Sequence, residues 1–281
     1  MSRCLVTGGL GFIGSHIVDY LRASGHEVEI LDDCSANTIP QPPGTPKRYL
    51  FHAGDFVHWS PEVIFHTAAV SRTPPAIADP MRCHGVNVTG SLHVFELARK
   101  TGARVIHSSS NVVYGTPTPY RTSKLAAEMY ATDYNTLYGG NIICLRYSNV
   151  IGPHLRRGDP AVLSSLRDCR DRSGYVEVTG DGKQTRNFTY VSDIVEANIL
   201  AAFGPGHAHR GILDITTGIP TSMNEFARHF GCPIRYIEDR KGDTKVIQQS
   251  WKEAGAVLQW TPTVPFDEAM RLSLAWRPED K

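Results

Sequence analysis

Apolar and polar positions follow two rhythms along the first half of this chain. Short apolar runs occur at residues 5–7, 27–31, 63–69, 104–107 and 142–146, and residues 48–51 add a short candidate strand. Runs that are apolar throughout suit strands covered on both faces. Between them lie longer stretches with helical spacing at residues 12–23, 81–101 and 120–137. In the second stretch Val86, Ser91, Phe95 and Ala98 repeat on one face, and Gly102 marks its end. In the third, Leu125, Ala126, Met129 and Tyr130 pack, and Gly139-Gly140 stops it. Strands alternating with helices call for an α/β, Rossmann-type doubly wound parallel sheet. After Asn149 the rhythm changes. The expected elements are a helix at 161–170, a strand at 176–179, a turn at Gly180-Asp181-Gly182, and an extended piece at 188–191 leading into a helix to 202. Residues 212–216 return to the main sheet, and 223–230, 234–237 and 266–276 read as helix, strand and helix. The second half therefore forms a smaller C-terminal lobe, with no linker before it.

The first turn carries the strongest signal. Gly8, Gly11 and Gly14 are spaced by three, and Gly9 to Gly14 also reads G-x-G-x-x-G. The motif follows a strand and opens a helix. That arrangement aims backbone N–H groups and the positive end of a helix at a pyrophosphate. A Cβ in such a turn would block the tight bend or the approach of the phosphates. The second strand ends in Asp32, eighteen residues after Gly14. An acid there holds both adenosine ribose hydroxyls and repels a 2′-phosphate, so the cofactor is NAD rather than NADP. Asp55 follows the 48–51 strand and is a candidate for the adenine edge, with a turn aspartate as the alternative.

Composition narrows the class without changing it. A chain of 281 residues with 41% hydrophobic and 20% charged residues and a net charge of +1 shows no nucleic-acid or membrane-surface bias. Six scattered cysteines without a C-x-x-C read as reduced thiols, and the twelve histidines show no metal-ligand spacing, so no metal is expected. Glycines interrupt the apolar run after Arg3, which rules out a signal peptide there. No stretch reaches eighteen apolar residues. A cytoplasmic location is the expectation.

The reactive groups lie behind the fourth strand. Ser108-Ser109-Ser110 closes that strand, and Tyr120 and Lys124 follow at i and i+4 on one helix face. Free tyrosine, with a pKa of about 10, is a poor base at neutral pH. A nearby ammonium and a positive nicotinamide ring both favour the phenolate. Tyr120 then removes a hydroxyl proton while hydride leaves the same carbon, Lys124 supplies charge, and Ser110 orients the hydroxyl.

Taken together, the motifs resemble the extended short-chain dehydrogenase/reductase family, in its NAD-dependent epimerase/dehydratase branch. They are Thr7 to Gly14, Asp32, Asp55-Phe56, His66-Thr67-Ala68-Ala69, Asn87-Val88-Thr89-Gly90, Ser108-Ser109-Ser110, Tyr120-x-x-x-Lys124, Leu145-Arg146-Tyr147-x-Asn149, the stretch 180–188, and Arg240-x-Gly242-Asp243. The resemblance implies a single domain over 1–281, with a cofactor lobe of about 1–149 plus 188–218 and a substrate lobe of about 150–187 plus 219–281. It implies that Phe12 and Ile13 lie under the pyrophosphate with the glycines, and that Asp32, Asp33 and Asn37 wrap the adenosine ribose. Asp55 and Phe56 meet adenine. Thr67, Ala68, Ala69, Ser71, Asn87, Ser108, Lys124 and Tyr147 complete the cofactor set. Ser110, Asn149, Arg186 and Arg240 face a nucleoside-diphosphate sugar, the arginines against its diphosphate, a geometry guanidinium suits.

Within the branch, dehydratases carry Asp-Glu directly after the serine or threonine, and UDP-glucuronate decarboxylases usually carry Glu at the second position. Here the pair is Asn111-Val112, without an acid. The reading that follows is an epimerase acting at C4 of a UDP-sugar. Two alternatives stand beside it: a nucleotide-sugar reductase, dehydrogenase or dehydratase, and a non-catalytic dinucleotide-binding scaffold. Only Thr116-Pro117-Thr118-Pro119 separates Tyr114-Gly115 from Tyr120, where relatives carry a longer loop, so a more open pocket is expected. Asp33 stands where Asn is common and Asn187 where Asp is common. The resemblance also implies a homodimer through the helices around Met81 and Tyr120.

Overall fold

Six parallel strands form the main sheet in a computed structural model that describes residues 1–35, 59–239 and 247–276. The strand expected at 48–51 and the candidates Asn37, Asp55, Phe56 and Arg240 lie outside the described residues. The strands are β1 (Arg3–Thr7), β2 (Glu27–Leu31), β3 (Val63–His66), β4 (Arg104–Ser110), β5 (Ile142–Tyr147) and, after three further strands, β9 (Ile212–Ile215). Their order is β2-β1-β3-β4-β5-β9, so the return of 212–216 to the main sheet is observed. Helices join and cover them: α1 (Phe12–Ala23), α2 (Thr73–Ala78), α3 (Pro80–His84), α4 (Gly90–Thr101), α5 (Pro119–Tyr138) and α7 (Val191–Phe203).

Alternation along each strand divides the core. Cys4, Val6, Phe65, Ile106 and Leu145 meet Ile17, Val18 and Leu21 of α1 and Ile194, Ala197 and Ala201 of α7. Leu5, Ile64, Val105 and Cys144 face the other way, onto Val94, Phe95 and Leu97 of α4 and Ala131 of α5. Period-two side chains on strands covered by helices on both sides explain why the runs read as continuously apolar. The chain order reverses at β1, which lies between β2 and β3. The carboxyl ends of strands beside such a switch point open a crevice.

The helix expected at 81–101 is interrupted. α3 passes through a π-helical turn at Gly85–Thr89 before α4 begins. The proline-rich loop before it contains α2, whose Pro74 and Pro75 sit in its first turn, where a missing N–H costs nothing.

The elements off the main sheet, here the second lobe, have a core of their own, and it includes Phe188, which the expected bounds gave to the cofactor lobe. The second lobe contains β6 (Asn149–Ile151), α6 (Val162–Ser173), β7 (Val176–Thr179), β8 (Thr185–Tyr190), β10 (Pro220–Ser222), α8 (Met223–Arg228), β11 (Ile234–Ile237) and α10 (Phe266–Ala275). These strands pair as β10-β8-β6 and β11-β7. Phe188 stacks on Phe226 at 4.4 Å between ring centres, and Leu163, Leu166, Val178 and Met270 fill in around them. The remaining helix, α9 (Lys252–Leu258), sends Ala254 and Leu258, with Trp260, into the core of the main sheet. All six cysteines are free thiols. Among the described residues no helix is long and apolar enough to cross a membrane, and no histidine, cysteine and carboxylate cluster is placed to hold a metal.

Candidate active site

A cavity of about 830 Å³ lies along the carboxyl ends of the main strands, between the two lobes. One end is made by the glycine turn. The N–H of Gly8 donates to the Leu31 carbonyl at 2.7 Å, and that of Gly11 to the Gly8 carbonyl at 3.0 Å. Gly8 adopts φ +70°, and a Cβ there would lie 2.7 Å from the Ala68 nitrogen where β3 ends. A Cβ on Gly14 would collide with the Gly8 carbonyl. Gly11 is the N-cap of α1 and brings no side chain to its first turn, which leaves N–H groups for an anion. Phe12 and Ile13 line the cavity beside Gly8, Gly11 and Gly14. This backbone cradle fits the diphosphate of a dinucleotide.

Asp32 stands at the next strand end, buried. Its carboxylate accepts from the N–H of Leu10 at 2.9 Å and of Cys34 at 2.8 Å. Burial pushes its carboxyl above the usual range, and those two N–H groups pull it back. Asp33 also lines the cavity, caps the N–H of Ser35 at 2.9 Å and pairs with Arg82 at 3.6 Å. Thr67 ties β3 to β1 by donating to the Thr7 carbonyl at 2.7 Å, which leaves Ala68, Ala69 and Ser71 along the wall.

The other end gathers the reactive groups. Thr118 caps α5 by accepting from the Arg121 N–H at 3.1 Å, and Pro119 occupies the first turn. Tyr120 thus enters as the second helical residue, and Lys124 follows one turn later. Along β4 the serines alternate. Ser109 donates to the buried Glu128 at 2.6 Å, which also receives two bonds from Arg146. Ser108 shares a 3.0 Å hydrogen bond with the Tyr147 hydroxyl, which donates to Asn198 at 2.9 Å. Ser110 lines the cavity with Tyr120 and Lys124, and its hydroxyl accepts from the Val112 N–H at 3.3 Å. Lys124 is buried and donates to the Ser108 carbonyl at 2.7 Å, and burial lowers its pKa to about 8. Burial pushes the Tyr120 phenol up. The Arg72 guanidinium and a hydrogen bond from Ser110 pull it down, while the Cys83 thiol pushes it up. Arg72 is thus a cation acting on this phenol, in the cavity that Lys124 also lines.

Asn149 and Arg186 line the same cavity and also a smaller one of about 330 Å³ in the second lobe, together with Arg172, Gln184 and Met223. Asn87 does not reach the cavity surface. Its side chain accepts from the Val70 N–H at 2.8 Å and donates to the Val70 carbonyl at 3.1 Å and to Ser123 at 2.9 Å. It clamps the loop that carries Ser71, and it sits in the π-helical turn whose Gly85, Val86 and Thr89 do line the cavity.

Reasoning from sequence missed Arg72, Arg82, His93 and Asp159, all of which line the cavity. Arg72 is the lone basic residue in the proline-rich stretch directly after Ser71. That was the one signal available for it.

This geometry agrees with the comparisons to known proteins. A UDP-glucose 4-epimerase of Mycolicibacterium smegmatis is 33% identical over 95% of this chain and 96% of its own. The crystal structure of a UDP-glucose 4-epimerase from Thermotoga maritima, solved with UDP-glucose, is 30% identical, covers 98% of both chains and superposes with a TM-score of 0.89. A Thermus thermophilus UDP-glucose 4-epimerase solved with NAD is 29% identical, covers 97% of both chains and gives a TM-score of 0.85. The family model matches residues 4–209, from β1 through the glycine turn and both ends of the cavity to the end of α7, and with it this chain belongs to the NAD dependent epimerase/dehydratase family.

Proposed function

We propose that this chain is an NAD-dependent nucleoside-diphosphate-sugar epimerase that inverts C4 of a UDP-sugar. The observation that carries the reading is that Ser110, Tyr120 and Lys124 share one cavity with the glycine turn, and no carboxylate follows Ser110. NAD, when bound, would supply a hydride acceptor and donor for one and the same carbon, so no external redox partner would be consumed. The glycine turn and the first turn of α1 hold its diphosphate. Asp32 keeps free lone pairs for ribose hydroxyls beside its two backbone partners. Tyr120 takes the proton of the 4-hydroxyl and gives it back, and Ser110 orients that hydroxyl. Lys124, fixed on the Ser108 carbonyl, would add positive charge at the Tyr120 end of the cavity. Asn149 and Arg186 receive the nucleotide side of the sugar donor, whose nucleoside enters the smaller cavity they share.

The remaining candidates, Asn37, Asp55, Phe56 and Arg240, keep the roles the family resemblance implies. The two-lobe division of the single domain and a cytoplasmic location belong to the same proposal. So does a homodimer, supported by Ile77, Met81, Met129, Tyr130 and Leu137, which stand exposed on α2, α3 and α5; Met129 and Tyr130, expected from spacing to pack α5, lie outside its buried face, which is formed by Tyr120, Ser123, Lys124, Ala127, Glu128 and Ala131. Light scattering at twice the monomer mass supports the dimer, and a monomer removes it.

The deciding experiment is NMR of purified protein with UDP-glucose, UDP-N-acetylglucosamine or UDP-glucuronate, with no added cofactor. Formation of a 4-epimer supports the reading. Turnover only after NAD(H) or NADP(H) is supplied, with net oxidation or reduction, overturns it in favour of a reductase or dehydrogenase.

A further inference from the structure

Arg72 is unlike the other groups around Tyr120. Its backbone lies at φ +92°, a conformation that costs an L-residue of order 1–3 kcal/mol and persists only where the surroundings fix it. The surroundings here are specific. Val70 on one side and Ala76 on the other are packed with Tyr120 in one buried cluster, and Asn87 clamps the Val70 backbone. The side chain is about one-third exposed and lines the cavity. Asp159, from the loop after β6 in the second lobe, accepts from its Nε at 3.3 Å and from the Ala161 N–H at 2.8 Å. Among the described residues neither terminal nitrogen of Arg72 is hydrogen-bonded. The guanidinium is thus aimed by one carboxylate through its edge nitrogen, and its fork of two amino groups is left for another acceptor.

We propose that Arg72 is a specificity-determining residue that reads a carboxylate carried by the sugar, so that the substrate class is a nucleoside-diphosphate hexuronate. The inference rests on the epimerase reading above. The chemistry favours a carboxylate over the donor's diphosphate, because the diphosphate is assigned to Arg186 in the reading above, and the segment that carries Arg72 packs on Tyr120 through Val70 and Ala76. Guanidinium and carboxylate match as a two-bond fork. A sugar carboxylate at this end would repel the phenolate that Tyr120 must form. A cation in the same cavity offsets that repulsion, and Arg72 lines the cavity with Tyr120.

The test is equilibrium binding to the purified holoenzyme by calorimetry, with UDP-glucuronate and UDP-glucose compared. The wild type binds UDP-glucuronate about tenfold or more tighter, the worth of a charged hydrogen-bond pair. Arg72→Met brings the ratio to about one, and Arg72→Lys, which keeps the charge and loses the fork, leaves a ratio between the two. Bound NAD is quantified in each sample. Equal affinities in the wild type, a preference that survives in Arg72→Met, or an Arg72→Met protein that loses NAD while keeping the preference each overturn the proposal. The wild-type ratio alone decides if a variant fails to fold. NMR of the same wild-type samples separates the two readings. Epimerisation of UDP-glucose without a uronate preference removes this inference and leaves the epimerase. A uronate preference with neither sugar epimerised removes the epimerase and leaves Arg72 as a carboxylate reader.

Discussion

The two ends of the cavity are built from different materials. The dinucleotide end is made of main chain: Gly8 and Gly14 where no Cβ fits, and N–H groups at the start of α1. Its partners lie within a few residues of one another or on adjacent strands. The reactive end is made of side chains carried there by separate segments: Ser110 from β4, Tyr120 and Lys124 from α5, Arg72 from the loop after β3 and Asp159 from the second lobe. A surface made of backbone tolerates exchange of most side chains and fails when an atom is added. A surface made of side chains keeps its shape and fails when a functional group is removed. Substitutions at the two ends should therefore break different things.

The largest effect belongs to Tyr120→Phe. Removing the proton shuttle lowers kcat by about 10²–10⁴-fold. The NAD content of the purified protein is expected to match wild type, because the phenol is not part of the cradle. NMR of epimer formation and absorbance of released cofactor read the two quantities in one sample. Wild-type activity in this variant would return the chain to the scaffold reading. Gly14→Ala is the converse. The added methyl meets the Gly8 carbonyl, and forced overpacking of this kind costs about 1–3 kcal/mol, or roughly 10–100-fold in cofactor affinity. Activity is expected to return as NAD is added, which Tyr120→Phe cannot do. If excess NAD fails to restore turnover in Gly14→Ala, the ends are not separable.

The difference between the ends also explains what was legible. The glycine turn, Asp32, the serines and Tyr120 with Lys124 declare themselves because each depends on close spacing within one strand-turn-helix unit. Arg72 does not, since its partner Asp159 is 87 residues away and its left-handed backbone is held by contacts that carry no local pattern. Asn87 is legible as part of a motif, whereas its bonds to the Val70 backbone are not, because they join residues seventeen apart with no local pattern. α2 was hidden because prolines read as loop, although they suit a helix's first turn. α9 and Trp260 rejoin the main core after an excursion through the second lobe, and nothing in their local sequence reports which sheet they will meet.

A smaller effect tests the floor beneath both ends. His66 at the end of β3 and His107 in β4 lie 5.2 Å apart between ring centres, both fully buried. Burial lowers His66 to about 3 and holds His107 well below its ordinary value. The unfolded chain binds these protons near pH 6.5 and the folded chain does not. Stability is therefore complete above that pH and is lost as pH falls below it, by about 1.4 kcal/mol per unit for each histidine. His66 is bonded to Thr7 at 2.7 Å and to Ser91 at 3.0 Å, whereas both ring nitrogens of His107 lack a partner among the described residues. His107→Leu should halve the slope of stability against pH in urea titrations between pH 5 and 6.5, and cost little at pH 8. An unchanged slope would assign acid sensitivity to other groups.

The smallest effect asks whether the second lobe can be weakened without disturbing the dinucleotide end. α8 begins with a reciprocal cap: Ser222 accepts from the Glu225 N–H at 3.1 Å, and the Glu225 carboxylate accepts from the Ser222 N–H at 2.7 Å. This helix presents Phe226 to the stack with Phe188, so its anchoring supports the core behind Asn149 and Arg186. Ser222→Ala removes one half of the cap and costs about 1 kcal/mol. In a chain of this size that is a fall in Tm of roughly 2–4 °C by scanning calorimetry. NAD retention is expected to stay at the wild-type level, since α8 packs on β10 and β7 of the second lobe, while KM for the sugar donor rises modestly. A parallel loss of NAD would mean that the cradle depends on the second lobe for its shape, and the contrast between a self-contained backbone end and an assembled side-chain end would fail.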